Sequence, residues 1–446
     1  MTTMNRRDFI KNSGLTIAGL SLSGLTMPTV FAQNSPGKKI VIAVMGVNGR
    51  GNYLSTLFAK MPDCEIAYIC DVDEHAINKT ITDVSSLQTR KPTAEKDFRK
   101  ALEDKSVDAL VIAAPDHWHA PAAIIGCAAG KHIYVEKPLS HNPNEGELLI
   151  QAARKYNRIV QMGSQRRSAP GVQQMITDIR SGIIGNAFMA KAWYTNARGP
   201  MSLKNAAVPS WLNYDLWQGP APRKPYQSGL IHYNWHWRWH WGTGEALNNG
   251  THEVDVARWG LGVEFPSRVT SAGGRYCYKD DWETPDTQTI SIEFPENKLI
   301  AWEGRSCNAF RNNGTERGVI FYGDQGTIAY LGENSYIVYD KAGKVAKTFK
   351  DEAVAKGTAN SPGIGVDDKL TELHVADFLN SIRTGSAPSA ECEIGHRSTL
   401  LVQLGNISWR TKQTLEIDSK DGHILNNPDT QQYWKREYEK GWEPVV

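Results

Sequence analysis

The turn Gly46-Val-Asn48-Gly49-Arg50-Gly51 and an aspartate twenty residues beyond it, Asp71, have the residue types and spacing to hold a dinucleotide. Glycines let the backbone approach a diphosphate with no Cβ in the way. The helix that follows would offer free N–H groups and the positive end of its dipole. The Asp71 carboxylate can accept hydrogen bonds from a ribose diol and repels a 2′-phosphate, which favours NAD, with NADP the alternative. Arg50 in the turn would partly offset that repulsion. The middle glycine of the usual G-x-G-x-x-G pattern is replaced here by Asn48.

Two further sets of polar residues fall just past strand ends: Pro115-Asp116-His117-Trp118-His119 and Glu136-Lys137-Pro138. In a parallel sheet this is the edge where ligands sit. Asp116, His119, Glu136 and Lys137 are therefore expected on the cofactor side of a site. A third set is Trp235-His236-Trp237-Arg238-Trp239-His240-Trp241, with an indole at every second position. Strict alternation is the period of a strand, which would put the indoles on one face and the basic groups on the other. Indole faces stack on the C–H faces of pyranose rings. Trp235, His236, Trp237, Arg238 and Trp239 are thus candidate carbohydrate contacts, with Arg166, His232 and Tyr233 behind them. The competing reading is core packing, and with 14 tryptophans some core use is certain. His236 and His240 on one strand would stand roughly 13 Å apart, too far for one metal ion. No metal site is expected.

The elements that must position these groups are legible in the hydrophobic pattern. Lys39-IVIAVM-Gly46 suits a strand buried on both faces. A helical pattern runs to about Met61, and strand Glu65–Asp71 ends in the acid. Strand, helix and strand then alternate through Val107–Ala114, His119–Gly130, His132–Glu136, Pro143–Tyr156 and Ile159–Met162. The implied fold class is α/β, with a doubly wound Rossmann domain over residues 39–162. Residues 163–446 switch to strand-like runs at Phe188–Tyr194, Thr287–Phe294, Leu299–Glu303, Gly318–Tyr322, Thr327–Tyr330 and Tyr336–Tyr339. Helical patterns follow at Asp368–Arg383 and Gly395–Thr411. This is an α+β domain with a mostly antiparallel sheet.

With 50 basic against 48 acidic residues and no basic stripe in the body of the chain, nucleic acid is a poor partner. The first thirty-two residues differ from the rest. Arg6-Arg7-Asp8-Phe9-Ile10-Lys11, a short Gly/Ser-containing apolar stretch and Val30-Phe31-Ala32 read as a twin-arginine (Tat) export signal, followed by a linker at 33–38. Export of a folded chain to the periplasm is expected, and no stretch of the mature chain is long and apolar enough to span a membrane. Cys64, Cys70, Cys127, Cys277, Cys307 and Cys392 form no C-x-x-C pair. Free thiols are the expectation, with a disulfide formed after export as the alternative.

These motifs together resemble the Gfo/Idh/MocA family of glucose–fructose oxidoreductase and inositol dehydrogenase. The resemblance rests on the Gly46–Gly51 turn, Pro115–His119, Glu136-Lys137-Pro138, Gly163-Ser-Gln165-Arg166-Arg167, Gly182-Ile-Ile-Gly185, Gly244–Asp255 and Gly323-Asp-Gln-Gly326. It covers essentially all of the chain after the signal. It implies NAD as cofactor, a large open sheet in the second domain, and a homo-oligomer. It also implies that Lys137 lies between nicotinamide and substrate and that His252 takes the hydroxyl proton, with an ordinary imidazole pKa suited to that work. Asn248 stands where the family commonly has an aspartate, four residues before His252. An amide can orient a hydroxyl or the imidazole but cannot balance charge. Asp255 and Glu253 are the candidates to supply that charge instead, and of the two Asp255 is expected to be structural, capping or pairing within its helix. The implied function is oxidation or reduction of a secondary alcohol or ketone of a sugar, glycoside or cyclitol, with a tightly bound, recycled cofactor. The alternative is a redox-assisted glycosidase working by oxidation, elimination and re-reduction.

Overall fold

The computed structural model describes residues 38–332, 334–350, 368–425 and 427–446. The expected export signal and most of its linker lie outside these residues. The first sheet has the order β3-β2-β1-β4-β5-β6 and is parallel throughout. Its strands are β1 Ile40–Met45, β2 Cys64–Cys70, β3 Thr93–Glu95, β4 Ala109–Ile112, β5 His132–Glu136 and β6 Val160–Gly163. Near-continuous apolar runs such as Ile-Val-Ile-Ala-Val-Met make strands buried on both faces. Helices Arg50–Lys60, Glu74–Ser85, His119–Ala128 and Pro143–Lys155 cover those faces. Asp73 caps the second of these helices, and Asn142 with Pro143 starts the last.

One layer of this domain is completed from far along the chain. Helix Asp368–Thr384 places Val375, Phe378, Leu379 and Ile382 in the cluster that holds Ile42, Phe58 and Tyr134. Phe378 meets Phe58 and Tyr134 edge-to-face at centroid distances of 6.4 and 5.7 Å.

The second sheet has nine strands in the order β16-β15-β14-β13-β7-β12-β11-β10-β17. They are β7 Ala187–Thr195, β10 Arg268–Gly274, β11 Thr287–Phe294, β12 Lys298–Arg305, β13 Arg317–Gly323, β14 Gly326–Tyr330, β15 Ser335–Asp340, β16 Val345–Lys350 and β17 Leu415–Glu416. Short strands β8 Lys204–Asn205 and β9 Gln227–Ser228 pair separately. The large sheet is mixed: β7 runs parallel to β12 and antiparallel to β13, and the remaining pairs are antiparallel. Helices Pro170–Arg180, Thr251–Leu261 and Cys392–Thr411 pack one face around Val254, Ile300 and Leu401. Helix Glu74–Ser85 and strands β3, β8, β9, β10, β16 and β17 had not been anticipated. Among the described residues, no helix is long and apolar enough to cross a membrane.

The tryptophan run is not a strand. Asn234–Trp237 forms a 3-10 turn, and Arg238 N–H and Trp241 N–H each donate to the carbonyl three residues back. Trp235, Trp237 and Trp241 are buried. Trp237 lies flat on Trp282 at 4.1 Å, and Trp235 packs with Trp217 and Leu230 in a small cluster. The alternation thus matched a strand period by coincidence: Trp239, in phase with the other three, is only half-buried.

Candidate active site

The glycine turn is built as the sequence requires. Gly46 has φ +82°, and a Cβ there would meet the Ala114 backbone at 2.6 Å. A Cβ on Gly51 would meet the Gly46 carbonyl at 1.8 Å, whereas Gly49 faces open space. Helix Arg50–Lys60 begins at Gly49 with no side-chain cap, so its leading N–H groups are left for an anion. Asn48 is exposed beside them. Asp71 accepts from Val47 N–H at 2.6 Å and Asp73 N–H at 3.0 Å, which braces the turn; burial pushes its carboxyl above the ordinary value. These residues fit a dinucleotide.

Two expectations for the cofactor side change. Arg50 Nε donates to Glu136 Oε1 at 2.8 Å, so this guanidinium is tied across the turn and does not reach out towards a 2′-phosphate. Burial works to raise Glu136, but Arg50 and Lys137 outweigh it and hold the carboxyl below its usual value. Both ring nitrogens of buried His119 lie against carbonyl oxygens, Pro138 at 2.6 Å and Ala114 at 2.8 Å. His119 therefore fastens the Lys137-Pro138 segment to the end of β4 and has no nitrogen left for a ligand. Asp116 is buried too, accepts from the Thr243 hydroxyl at 2.5 Å, and is raised by burial.

Lys137, at the C-terminal edge of β5, reaches across to the second domain. Its Nζ donates to the Asn248 side-chain oxygen at 2.8 Å and to the Asn248 backbone carbonyl at 2.5 Å. Asn248 sits in a single π turn, Ala246–Gly250, that runs directly into helix Thr251–Leu261 carrying His252. Burial lowers the Lys137 ammonium, and Glu136, Asp116 and Glu245 partly offset it. His252 is buried, with Nδ1 in no hydrogen bond among the described residues. Burial first, then the nearby Arg166, Lys137, Arg317 and Arg50, push its pKa well below the ordinary imidazole value expected from sequence. The imidazole is neutral at neutral pH.

The geometry also brings in Glu245, Arg198 and Arg317, which sequence reading missed, beside Arg166 and Tyr233, which it named. Glu245 is buried and ion-paired to Arg198 at 2.6 Å, accepts from the Ser306 hydroxyl at 3.0 Å, and accepts from Asn248 Nδ2 at 3.3 Å. Arg198 also donates to the Tyr233 hydroxyl at 2.9 Å. Arg166 and Arg317 approach the buried Glu253 carboxylate at 3.4 and 3.6 Å, Arg166 donates to Tyr330, and Arg317 donates to Asn249. Glu245 had one sequence signal: a charge within an otherwise apolar Gly-Glu-Ala-Leu run. The arginines come from strand ends and a turn, and only the fold gathers them.

Other candidates are tied to partners of their own, although His236 lies within electrostatic reach of Lys137 and His119. Asp255 is structural: it pairs with Arg167 at 2.7 Å and accepts from Ser164 and Ser398. Arg238 pairs with Glu283 at 2.8 Å, His236 Nδ1 meets the Tyr233 carbonyl, and His232 meets Asp73 at 2.7 Å. Trp239 is half-buried near Trp409 with Arg410 over its ring. The expected sugar platform of Trp235, His236, Trp237, Arg238 and Trp239 is therefore not presented as one surface.

Residues 40–164 match the oxidoreductase-family model for the NAD-binding Rossmann fold, and residues 180–272 match the model for that family's C-terminal α/β domain. The chain belongs to the Gfo/Idh/MocA family of oxidoreductases. Among curated relatives, a glycosyl hydrolase family 109 protein of Shewanella pealeana is 26% identical over 230 residues, 47% of this chain and 50% of that one. An α-N-acetylgalactosaminidase of Shewanella oneidensis is 24% identical over 234 residues, 48% and 51% of the two chains. The chain spans about half the length of the curated relatives it matches. Among solved structures, a levoglucosan dehydrogenase in complex with NADH and levoglucosan superposes with TM-score 0.66 at 19% identity, over 85% of this chain and 99% of that one. This likeness shows a shared fold.

Proposed function

We propose that this chain is an NAD-dependent oxidoreductase of a secondary alcohol or ketone on a sugar, glycoside or cyclitol. The observation that carries the reading is the Lys137 ammonium, fixed on Asn248, next in sequence to Glu136, which pairs with Arg50 of the glycine turn, and within electrostatic reach of His252. Bound NAD supplies the hydride acceptor for a carbinol carbon. Lys137 donates a hydrogen bond to the substrate oxygen and holds negative charge as it builds there. His252, kept neutral, accepts the hydroxyl proton. The surrounding cations make its protonated form costly, so the imidazole releases the proton to solvent water. The levoglucosan dehydrogenase named above was solved with a sugar derivative, which supports a carbohydrate substrate.

The twin-arginine signature Arg6-Arg7 supports export to the periplasm. There the nicotinamide stays bound and cycles between two carbohydrate substrates. The assembly is a homo-oligomer.

A second reading has its own support. The curated relatives carry glycosidase names. Oxidation of a ring hydroxyl acidifies the adjacent C–H, so the glycosidic substituent is eliminated and the ring is then re-reduced. The Glu136-Lys137-Pro138 element favours the first reading.

The test is to purify the chain after cytoplasmic folding, denature it, and identify any released nucleotide by mass. The native protein is then offered a panel of glycosides and cyclitols while nicotinamide absorbance is followed. Stoichiometric NAD(H) that changes redox state with a sugar supports the first reading. Aglycone release without net NADH supports the second. No nucleotide, and no binding when it is supplied, defeats both.

A further inference from the structure

Cys277 and Cys307 stand apart from the other four cysteines. Cys64, Cys70, Cys127 and Cys392 are buried, whereas Cys277 is exposed and Cys307 is partly so. Cys277 lies in the segment that follows β10, and Cys307 lies just after β12. The two sulfurs and an oxygen of buried Asp286, at the start of β11, lie within 4.8 Å of one another. Arg275 donates to Asp286 Oδ2 at 3.0 Å and to Cys307 Sγ at 3.1 Å. A guanidinium that already bonds two of the three groups opposes a metal cation there. It does not oppose a bond between the sulfurs, which carries no charge.

We infer that Cys277 and Cys307 form a redox-active pair that closes to a disulfide in an oxidising compartment. The oxidant is a small-molecule or protein disulfide. The exposed Cys277 thiolate attacks one sulfur of that disulfide, forms a mixed disulfide and releases one thiolate. Cys307 loses its proton to water and attacks the Cys277 sulfur, releasing the second thiolate. Two protein thiols are oxidised, one external disulfide is reduced to two thiols, and the new bond is Sγ277–Sγ307. Burial and Asp286 push the Cys307 thiol up to about 12, so the second step is the slow one.

The position gives the bond a consequence. Ser306, next to Cys307, donates to Glu245 behind Asn248, and its carbonyl accepts from Arg198 N–H. On the other side, Arg275 lies over Trp282, which stacks on Trp237. The cross-link therefore ties the wall that holds Glu245 to the loop that clamps Trp237. It closes a loop of about 30 residues, long enough for a measurable gain in stability.

The test uses the full chain, reduced, desalted and equilibrated with excess oxidised glutathione, then alkylated and digested. We expect a loss of 2 Da and a linked peptide pair containing positions 277 and 307, with slow onset at neutral pH and faster onset as pH rises. Tm should increase by a few degrees in the wild type and not in Cys277→Ser, which alters an exposed side chain. Persistence of both thiols as alkylatable groups would overturn the proposal. So would stoichiometric Zn2+ binding to the reduced chain that protects both thiols, which would make the cluster a metal site. Neither readout depends on catalytic turnover.

Discussion

Asn248 receives the Lys137 ammonium on two oxygens, its side-chain amide and its own backbone carbonyl, while its amide nitrogen donates to Glu245. The amide cannot flip without placing NH2 against the ammonium and oxygen against the carboxylate. Lys137, Asn248 and Glu245 thus form an oriented chain of cation, neutral amide and anion. The carboxylate lies one residue further from the lysine than in a direct ion pair.

Lys137→Ala removes the donor that faces the substrate oxygen. We expect turnover to fall about 10²–10³-fold. Nucleotide recovered per chain after denaturation should be unchanged, because the glycine turn is untouched. Single-turnover absorbance with a saturating sugar measures the first quantity and mass analysis the second. Near-normal turnover would remove Lys137 from the chemistry.

Asn248→Asp restores the residue type the wider family commonly has, yet here it should harm the protein. It places a carboxylate oxygen where the amide nitrogen now sits, 3.3 Å from Glu245 Oε1. We expect a loss of about 1–3 kcal/mol. The double change Glu245→Gln with Asn248→Asp should recover much of it, because the new amide can donate to the new carboxylate. Denaturant melts of the two singles and the double give the coupling.

Acid should destabilise the fold well before the carboxylates titrate. Burial, the leading cause in each case, holds His117, His252, His374 and His396 below the usual imidazole value, His396 at about 4. Below about pH 6.5 the unfolded chain binds protons at these positions and the native chain does not. Stability contributed this way is complete above that pH and is lost as pH falls. Each such histidine steepens the slope towards about 1.4 kcal/mol per pH unit. Urea unfolding at pH 7.5, 6 and 5 measures it; a flat profile would mean that these rings are hydrated in the native state.

Arg50→Met leaves Glu136 buried without its partner, at a cost of about 3 kcal/mol. Because Arg50 is tied to Glu136, the preference between NAD and NADP should not move. Calorimetric titration of the nucleotide-free variant with each dinucleotide checks this, and a shift towards either would show Arg50 at the ribose.

Trp237→Ala should cost about 3–5 kcal/mol through the cavity it leaves against Trp282. A thermal melt would show this as a large fall in Tm. Unchanged stability with a raised KM for sugar would return the indole to the binding surface.

The first sheet, apart from the short polar β3, was legible because its strands are apolar runs and its turn needs glycine at fixed places. Gly46 and Gly51 fail with any Cβ, and that constraint is local. The second sheet was legible strand by strand, from Thr287–Phe294 to Ser335–Asp340, because alternation survives wherever one face is buried. The tryptophan run shows the limit of that signal: period two is shared by strands and by some tight turns. The environment of His252 was not legible, because Arg166, Arg317 and Arg50 reach it from three separate segments and their joint field exists only after folding. Glu245 escaped for the same reason; its partners Arg198 and Ser306 lie 47 and 61 positions away.

Helix Asp368–Thr384 also sets a timetable for biosynthesis. Phe58 and Tyr134 leave the ribosome early, but Phe378, which covers them, follows some 240 residues after Tyr134. At ordinary rates of translation the nascent nucleotide domain stays open on one side for on the order of ten to fifty seconds. A chaperone has that interval in which to shield the gap, and a diffusing dinucleotide has the same interval in which to reach the glycine turn before the chain closes.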